Sequence, residues 1–133
     1  MAEVNIPEDL KYTRSHEWIK IEDNIITIGI TDFAQQELSD IVYVEFQLDT
    51  DDEISQGDPF CTIEAVKTAE DINSPADGKI ISVNSDLPDD PSVINKDPYG
   101  QGWLAKIEVA DQSFQDNLIN AQEYLKITEQ SSH

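Results

Sequence analysis

Between Lys20 and Lys79 the chain carries fifteen Asp and Glu residues and a single cation, Lys67, in the stretch FCTIEAVKTAEDINSPADGKI. An amine alone in an acidic stretch is either an ordinary solvated lysine or a group with a duty of its own. Its place in the local structure bears on which. PFCTIEAV alternates Cys61, Ile63 and Ala65 against Thr62, Glu64 and Val66, the period-two pattern of a half-buried strand. If that strand continued in register, Lys67 would join the apolar face, and burying an unpaired ammonium is costly. The strand is therefore expected to turn at about Val66-Lys67-Thr68, with Lys67 at a hairpin tip.

Other chemistry is thinly represented. Cys61 is the only cysteine, so it forms no internal disulfide and nothing points to an oxidising compartment. Phe60 and Ile63 mark it as a core thiol without the electropositive neighbours that lower a thiol's pKa. His16, beside Trp18, reads as structural. No metal-ligand cluster, nucleophile with a base, or phosphate-cradling glycine loop is visible, so a free-standing enzyme is not expected. The formal net charge is -20, which disfavours nucleic acid and anionic membrane surfaces as partners. Proteins with basic docking faces fit that charge, and solubility alone is the other reading. No apolar run reaches membrane-spanning length. The opening MAEVNIPEDLKY lacks a signal peptide's apolar region and a transit peptide's basic, acid-poor character. The expectation is a cytoplasmic bacterial protein, with a mature mitochondrial chain as the alternative.

The elements that must hold Lys67 in place read as short strands separated by turns. HEWIKIEDNIITIGIT predicts two strands around a turn at Asp23-Asn24. TDFAQQELSD predicts a short helix capped by Asp32, with Gln35 three residues on. IVYVEFQL predicts a strand with Val42, Val44 and Phe46 on one face, and DTDDEISQGD an acidic connection ending in a turn at Gly57-Asp58. EDINSP is a polar return strand, GKIISVNSDL a strand entered through Asp77-Gly78, and PDDPSVINKDPYGQG a long loop. WLAKIEVA predicts a last strand, with Leu104, Lys106 and Glu108 opposite Trp103, Ala105, Ile107 and Val109. DQSFQDNLINAQEYLKI predicts a closing helix over about residues 113–127, with Phe114, Leu118, Ala121 and Leu125 at helical spacing. A length of 133 residues with 38% apolar content suits one domain spanning 1–133 around a modest core. Many short strands with regular turns argue a small β sandwich or barrel decorated with helices.

The pattern E-x-V-K, a polar return strand and then SPADGKI resembles the swinging-arm domains that carry lipoic acid or biotin on a lysine at a tight, exposed turn. Biotin carriers usually flank that lysine with methionines. Here Val66 and Thr68 flank it, which favours lipoate. The resemblance extends over nearly the whole chain. KYTRSHEWIKIEDNIITIGITDFAQQELSDIVYVEF is similar to the amino-terminal part of the H protein of the glycine cleavage system, and GDPFCTIEAVKTAEDINSPADGKIISVN to its lipoyl hairpin. DLPDDPSVINKDPYGQGWLAKIEV resembles the loop and strand that follow. SHEW, GIT, E-x-VK, SP-x-x-G and PYG-x-GW are each weak alone, but in this order they are specific together.

The resemblance implies a mainly β, lipoyl-domain-like hybrid of barrel and sandwich with short flanking helices and a C-terminal helix, its lipoyl hairpin at about residues 60–75. It implies a monomeric carrier, not an enzyme, with lipoic acid in amide linkage on Lys67. The implied partners are a pyridoxal-phosphate glycine decarboxylase, a tetrahydrofolate-dependent aminomethyltransferase, a dihydrolipoyl dehydrogenase and the lipoylating enzymes. The carrier would pass the aminomethyl group of glycine between the first two and dithiol electrons to the third. Residues matching Ser15, Glu17 and Asp71 hold the parked arm in the family; their other reading is ordinary polar groups at the surface and in turns. Glu64 is either read by the lipoylating enzymes or only solvates the hairpin face. Phe33 departs from the family, which commonly has His after the acidic residue of GITD; Phe33 neither donates a hydrogen bond nor titrates, so a more apolar cleft is expected. Two other functions fit the same hairpin: an H-like protein that distributes lipoate to other enzymes, and a biotin carrier.

Overall fold

Isoleucine at alternating positions, broken by Asp-Asn, Gln-Gly and Asp-Gly turns, leaves this chain few options other than short antiparallel strands. The computed structural model describes residues 4–131. Its strands are β1 (Lys11–Tyr12), β2 (Glu17–Glu22), β3 (Ile25–Ile30), β4 (Ile41–Phe46), β5 (Glu53–Ile54), β6 (Pro59–Ala65), β7 (Ala69–Asn73), β8 (Gly78–Val83) and β9 (Ala105–Val109). Its α-helices are α1 (Asp32–Leu38), α2 (Val93–Lys96) and α3 (Ala121–Ser131). One sheet has the order β1-β2-β3-β9-β8-β5 and the other β4-β6-β7. Every pairing is antiparallel. The sheets face each other as a sandwich that does not close into a barrel, which fits the mainly β architecture expected from the sequence.

The inward faces form the main core. Ile19, Ile26, Ile28, Ile63, Ile80, Leu104 and Ile107 are fully buried there, with Cys61 among them. Each such side chain contributes about 1.5–3 kcal/mol of burial free energy. β2 is covered on both sides, because Ile19 enters this core while Trp18 joins a second cluster with Leu10, Tyr12, Ile119 and Tyr124 under α3. Trp18 explains a glycine. Gly29 lies opposite it, and a Cβ at Gly29 would stand 2.4 Å from the indole nitrogen.

Four local expectations are corrected. The cap of α1 is Thr31, one residue before Asp32; its hydroxyl accepts from the Ala34 amide. Asp32 instead accepts from the Gln35 side-chain amide and from the Asn5 backbone. In β4 a register shift between Ile41 and Tyr43 resets the parity. Ile41 and Val44 therefore enter the core while Val42 stands 55% exposed. The long loop contains α2, whose Asn95 accepts from the Ile41 amide and donates to Gln35 and Ser39. The closing helix is not continuous over 113–127. A 3-10 turn at Ser113–Asn117 ends at Leu118, and Ile119 exchanges two backbone hydrogen bonds with Tyr12 before α3 begins. Inside α3 the buried anchor is Tyr124, and Leu125 is exposed.

Candidate functional site

β6 delivers Cys61, Ile63 and Ala65 to the core and Glu64 to solvent. The strand ends where the alternation would next bury Lys67. The Ala65 amide donates to the Thr68 carbonyl at 2.8 Å, closing a tight turn with Val66 and Lys67 at its tip. Both are exposed, Val66 by 71%. Lys67 has no hydrogen-bond or ion-pair partner among the described residues. Glu64 projects from the outer hairpin face, opposite Tyr43 on one side and Ala69 on the other.

Beside the hairpin, at the open end of the sandwich, lies a cleft of about 360 Å³. Its walls come from three places: Ser15, His16 and Glu17 at the start of β2; Phe33, Ala34, Glu37 and Leu38 on α1; and Thr68 with Glu70 to Asn73 on β7. Ile30, paired with Glu17, forms part of the floor. The helical wall is fixed at both ends. The Asp32 amide donates to the Tyr99 hydroxyl of PYG, and Asn95 ties Gln35 and Ser39.

The turn from β1 to β2 is closed by hydrogen bonds from the Thr13 amide to Glu17 and from the His16 amide to Thr13. His16 has φ of 76°, a strained conformation for a residue with a Cβ. It is held there from the side: Nδ1 lies 2.8 Å from the Tyr124 hydroxyl, which lies 2.6 Å from Thr31 Oγ1. The imidazole also packs on Phe33, ring centres 5.0 Å apart. Burial lowers the His16 pKa, against the pull of Glu37 and Glu70, so the ring is neutral near pH 7.

Glu17 is 7% exposed. One carboxylate oxygen accepts from both Thr13 Oγ1 and Ser15 Oγ at 2.8 Å. The other has no protein partner among the described residues, and it is not sealed from solvent. Burial raises the Glu17 pKa, the Ser15 and Thr13 hydroxyls draw it back, and the charge of Glu70 raises it. Asp71 borders the same cleft, but one of its carboxylate oxygens accepts from Thr62 Oγ1 at 2.8 Å across the hairpin. Cys61 is fully buried and its thiol is pushed up to about 12, so it stays protonated.

The structure thus brings Ser15, Glu17 and Asp71 to one cleft and leaves Lys67 and Glu64 outside it, on the hairpin that borders it. Phe33 lies in the wall. Sequence reasoning missed His16 as a cleft residue and missed Glu70. For Glu70 a signal existed: a turn at Val66-Lys67 pairs residue 63 with residue 70, placing Glu70 on the face of Ile63.

An exposed lysine on a tight hairpin of a two-sheet sandwich, with a cleft beside it, is the arrangement of a lipoyl-domain-like fold. The glycine cleavage H-protein family matches residues 10–131, and the chain belongs to that family. It is similar to the glycine cleavage system H protein of Carboxydothermus hydrogenoformans, 46% identical over 94% of this chain and 95% of that protein. It is also similar to the protein of the same name from Staphylococcus epidermidis, 47% identical over 90% and 94%. A solved structure of a glycine cleavage system H protein from Mycobacterium marinum superposes with a TM-score of 0.83 at 34% identity, covering 96% of this chain and all of that one.

Proposed function

We propose that this chain is the lipoyl carrier of a glycine cleavage system, with lipoic acid in amide linkage on Lys67 and no catalysis of its own. The observation that carries the reading is the presentation of Lys67: an unpaired amine at a two-residue hairpin tip, one residue from a side chain that lines the cleft. A lipoylating enzyme can reach such an amine without unfolding anything. Glu64, three residues before it on the outer face, is the side chain such an enzyme meets beside it.

The cleft fits the group on its own chemistry. Ile30, Phe33, Ala34 and Leu38 offer an apolar wall to a hydrocarbon arm, and Ser15 and Glu17 offer polar contacts. When attached, the lipoyl group supplies a disulfide that takes up an aminomethyl group with two electrons and gives them up in later steps. Glu17 is suited to meet an amine, because its free oxygen can accept a charge-assisted hydrogen bond while Thr13 and Ser15 fix the other. Phe33 and the neutral His16 ring limit water on the opposite side. Asp71 contributes by stiffening the hairpin through Thr62, which also accepts from the Gln47 side chain. The partners under this reading are glycine decarboxylase, aminomethyltransferase, dihydrolipoyl dehydrogenase and the lipoylating enzymes, met by a cytoplasmic monomer.

Reconstitution tests it. The lipoylated chain is incubated with a glycine decarboxylase and glycine labelled at its methylene carbon. Label is expected on the chain, and its release as methylenetetrahydrofolate once the aminomethyltransferase and tetrahydrofolate are added. Failure of the lipoylated chain to take label from an active decarboxylase would rule out the glycine role and favour lipoate distribution.

A further inference from the structure

We infer that Glu70 supplies the second carboxylate that faces Glu17 across the cleft, and that this makes it a specificity-determining residue for a cationic cargo on the arm. This rests on the reading of Lys67 as the lipoyl-bearing residue. Strand parity assigns the direction. In the β6–β7 hairpin Ile63 lies opposite Glu70 and Cys61 opposite Ile72. Ile63, Cys61 and Ile72 are buried between the sheets, so Glu70 leaves β7 on the inward face. Asp71 leaves on the other face, where Thr62 holds it at 2.8 Å.

Glu17 obeys the same rule on the opposite sheet. It shares the face of β2 that carries Ile19 into the main core. The two inward faces meet at the open end of the sandwich, where Glu17 and Glu70 both line the cleft. The charge of Glu70 raises the pKa of both Glu17 and His16. The other titratable groups around them are Glu37 on α1, Asp71 on β7, which Thr62 engages, and Tyr124 on α3, which is bonded to His16. The cleft is therefore lined by four carboxylates, Glu17, Glu37, Glu70 and Asp71, the last of them engaged by Thr62, around an imidazole that burial keeps uncharged. An arm ending in an ammonium is attracted there, and an arm ending in a neutral disulfide meets only the apolar wall.

The test has two arms. In the unmodified protein, the Glu17 carboxyl and the His16 ring are titrated by NMR from about pH 4 to 8, a range spanning ordinary Glu and His values. Parent, Glu70→Gln and Asp71→Asn are compared. Removing a negative neighbour eases ionisation of Glu17 and disfavours protonation of His16, so Glu70→Gln is expected to lower both midpoints and Asp71→Asn to leave both in place. In the aminomethyl-loaded protein, without the transferase, Glu70→Gln is expected to release ammonia and formaldehyde about two- to fivefold faster than the parent, the size of one partly exposed charge pair. The inference is overturned if Asp71→Asn moves Glu17 and Glu70→Gln does not, if neither moves it, or if the loaded lifetimes of Glu70→Gln and parent agree. Absence of a lipoyl group on Lys67 is seen by mass and defeats the carrier reading and the cargo role, while the titrations still report on the geometry.

Discussion

Two tight turns stand at the same end of this molecule and are built in opposite ways. At the β6–β7 tip, Val66, Lys67 and Thr68 are all exposed, and Lys67 has no partner among the described residues. At the β1–β2 turn nearly every side chain is committed: Thr13 and Ser15 to Glu17, and His16 to Tyr124. The second turn even holds a histidine at positive φ, a conformation that costs about 1–2 kcal/mol outside glycine and persists only when its surroundings over-determine it. Under the proposed function the contrast separates two duties: one turn is left free for another enzyme to modify, and the other is fixed so that the cleft keeps its shape.

Substitutions can break that contrast. The largest effect is expected from Tyr124→Phe, which removes the buried hydroxyl shared by His16 and Thr31. A loss of about 2 kcal/mol of stability in urea denaturation is expected for one buried and one partly buried hydrogen bond, with no change in lipoylation. A melting curve equal to the parent's would mean that the β1–β2 turn does not need α3.

Glu17→Ala comes next. It is expected to shorten the lifetime of the aminomethylated form about tenfold, the loss of one charge-assisted hydrogen bond, while Lys67 is modified at the parent's rate. Equal lifetimes would reduce Glu17 to a structural partner of Thr13 and Ser15.

Glu17→Gln sharpens the point through pH. The folded-state pKa of Glu17 is raised, so the folded protein holds that proton longer than the unfolded chain, and the parent loses stability as pH rises through that window. Glu17→Gln is expected to match the parent below the ordinary carboxyl value of 4.5 and to melt higher by a growing margin above it. A margin that shrinks with rising pH would contradict the burial argument. The smallest effect is expected from Val66→Ala, within about 0.5 kcal/mol of the parent, as for an exposed residue with no special contact.

What could be read from the sequence followed from local pattern. Period-two alternation placed Cys61, Ile63 and Ala65 inward and so put Lys67 on a turn. Asp23-Asn24 marked the β2–β3 hairpin in the same way. What could not be read depended on distant partners. Phe114, Leu118, Ala121 and Leu125 keep helical spacing, yet Ile119 pairs with Tyr12 more than a hundred residues away and breaks the helix. Val42 keeps strand spacing with Val44 and Phe46, yet a register shift against β6 turns it out. The cleft itself was legible only through resemblance, because Glu17 and β7 belong to different sheets. No local signal tells that His16 is tied to α3.

The central claim is that the free turn exists to be acylated at one residue. Peptide mass spectrometry of the chain, produced with lipoate and its ligase, tests this most directly, beside Lys67→Arg produced the same way. The expected result is a lipoyl adduct on Lys67 alone, and none on the variant, whose melting curve equals the parent's. A lipoyl adduct on any of the other lysines, or on the Lys67→Arg chain, would contradict the account.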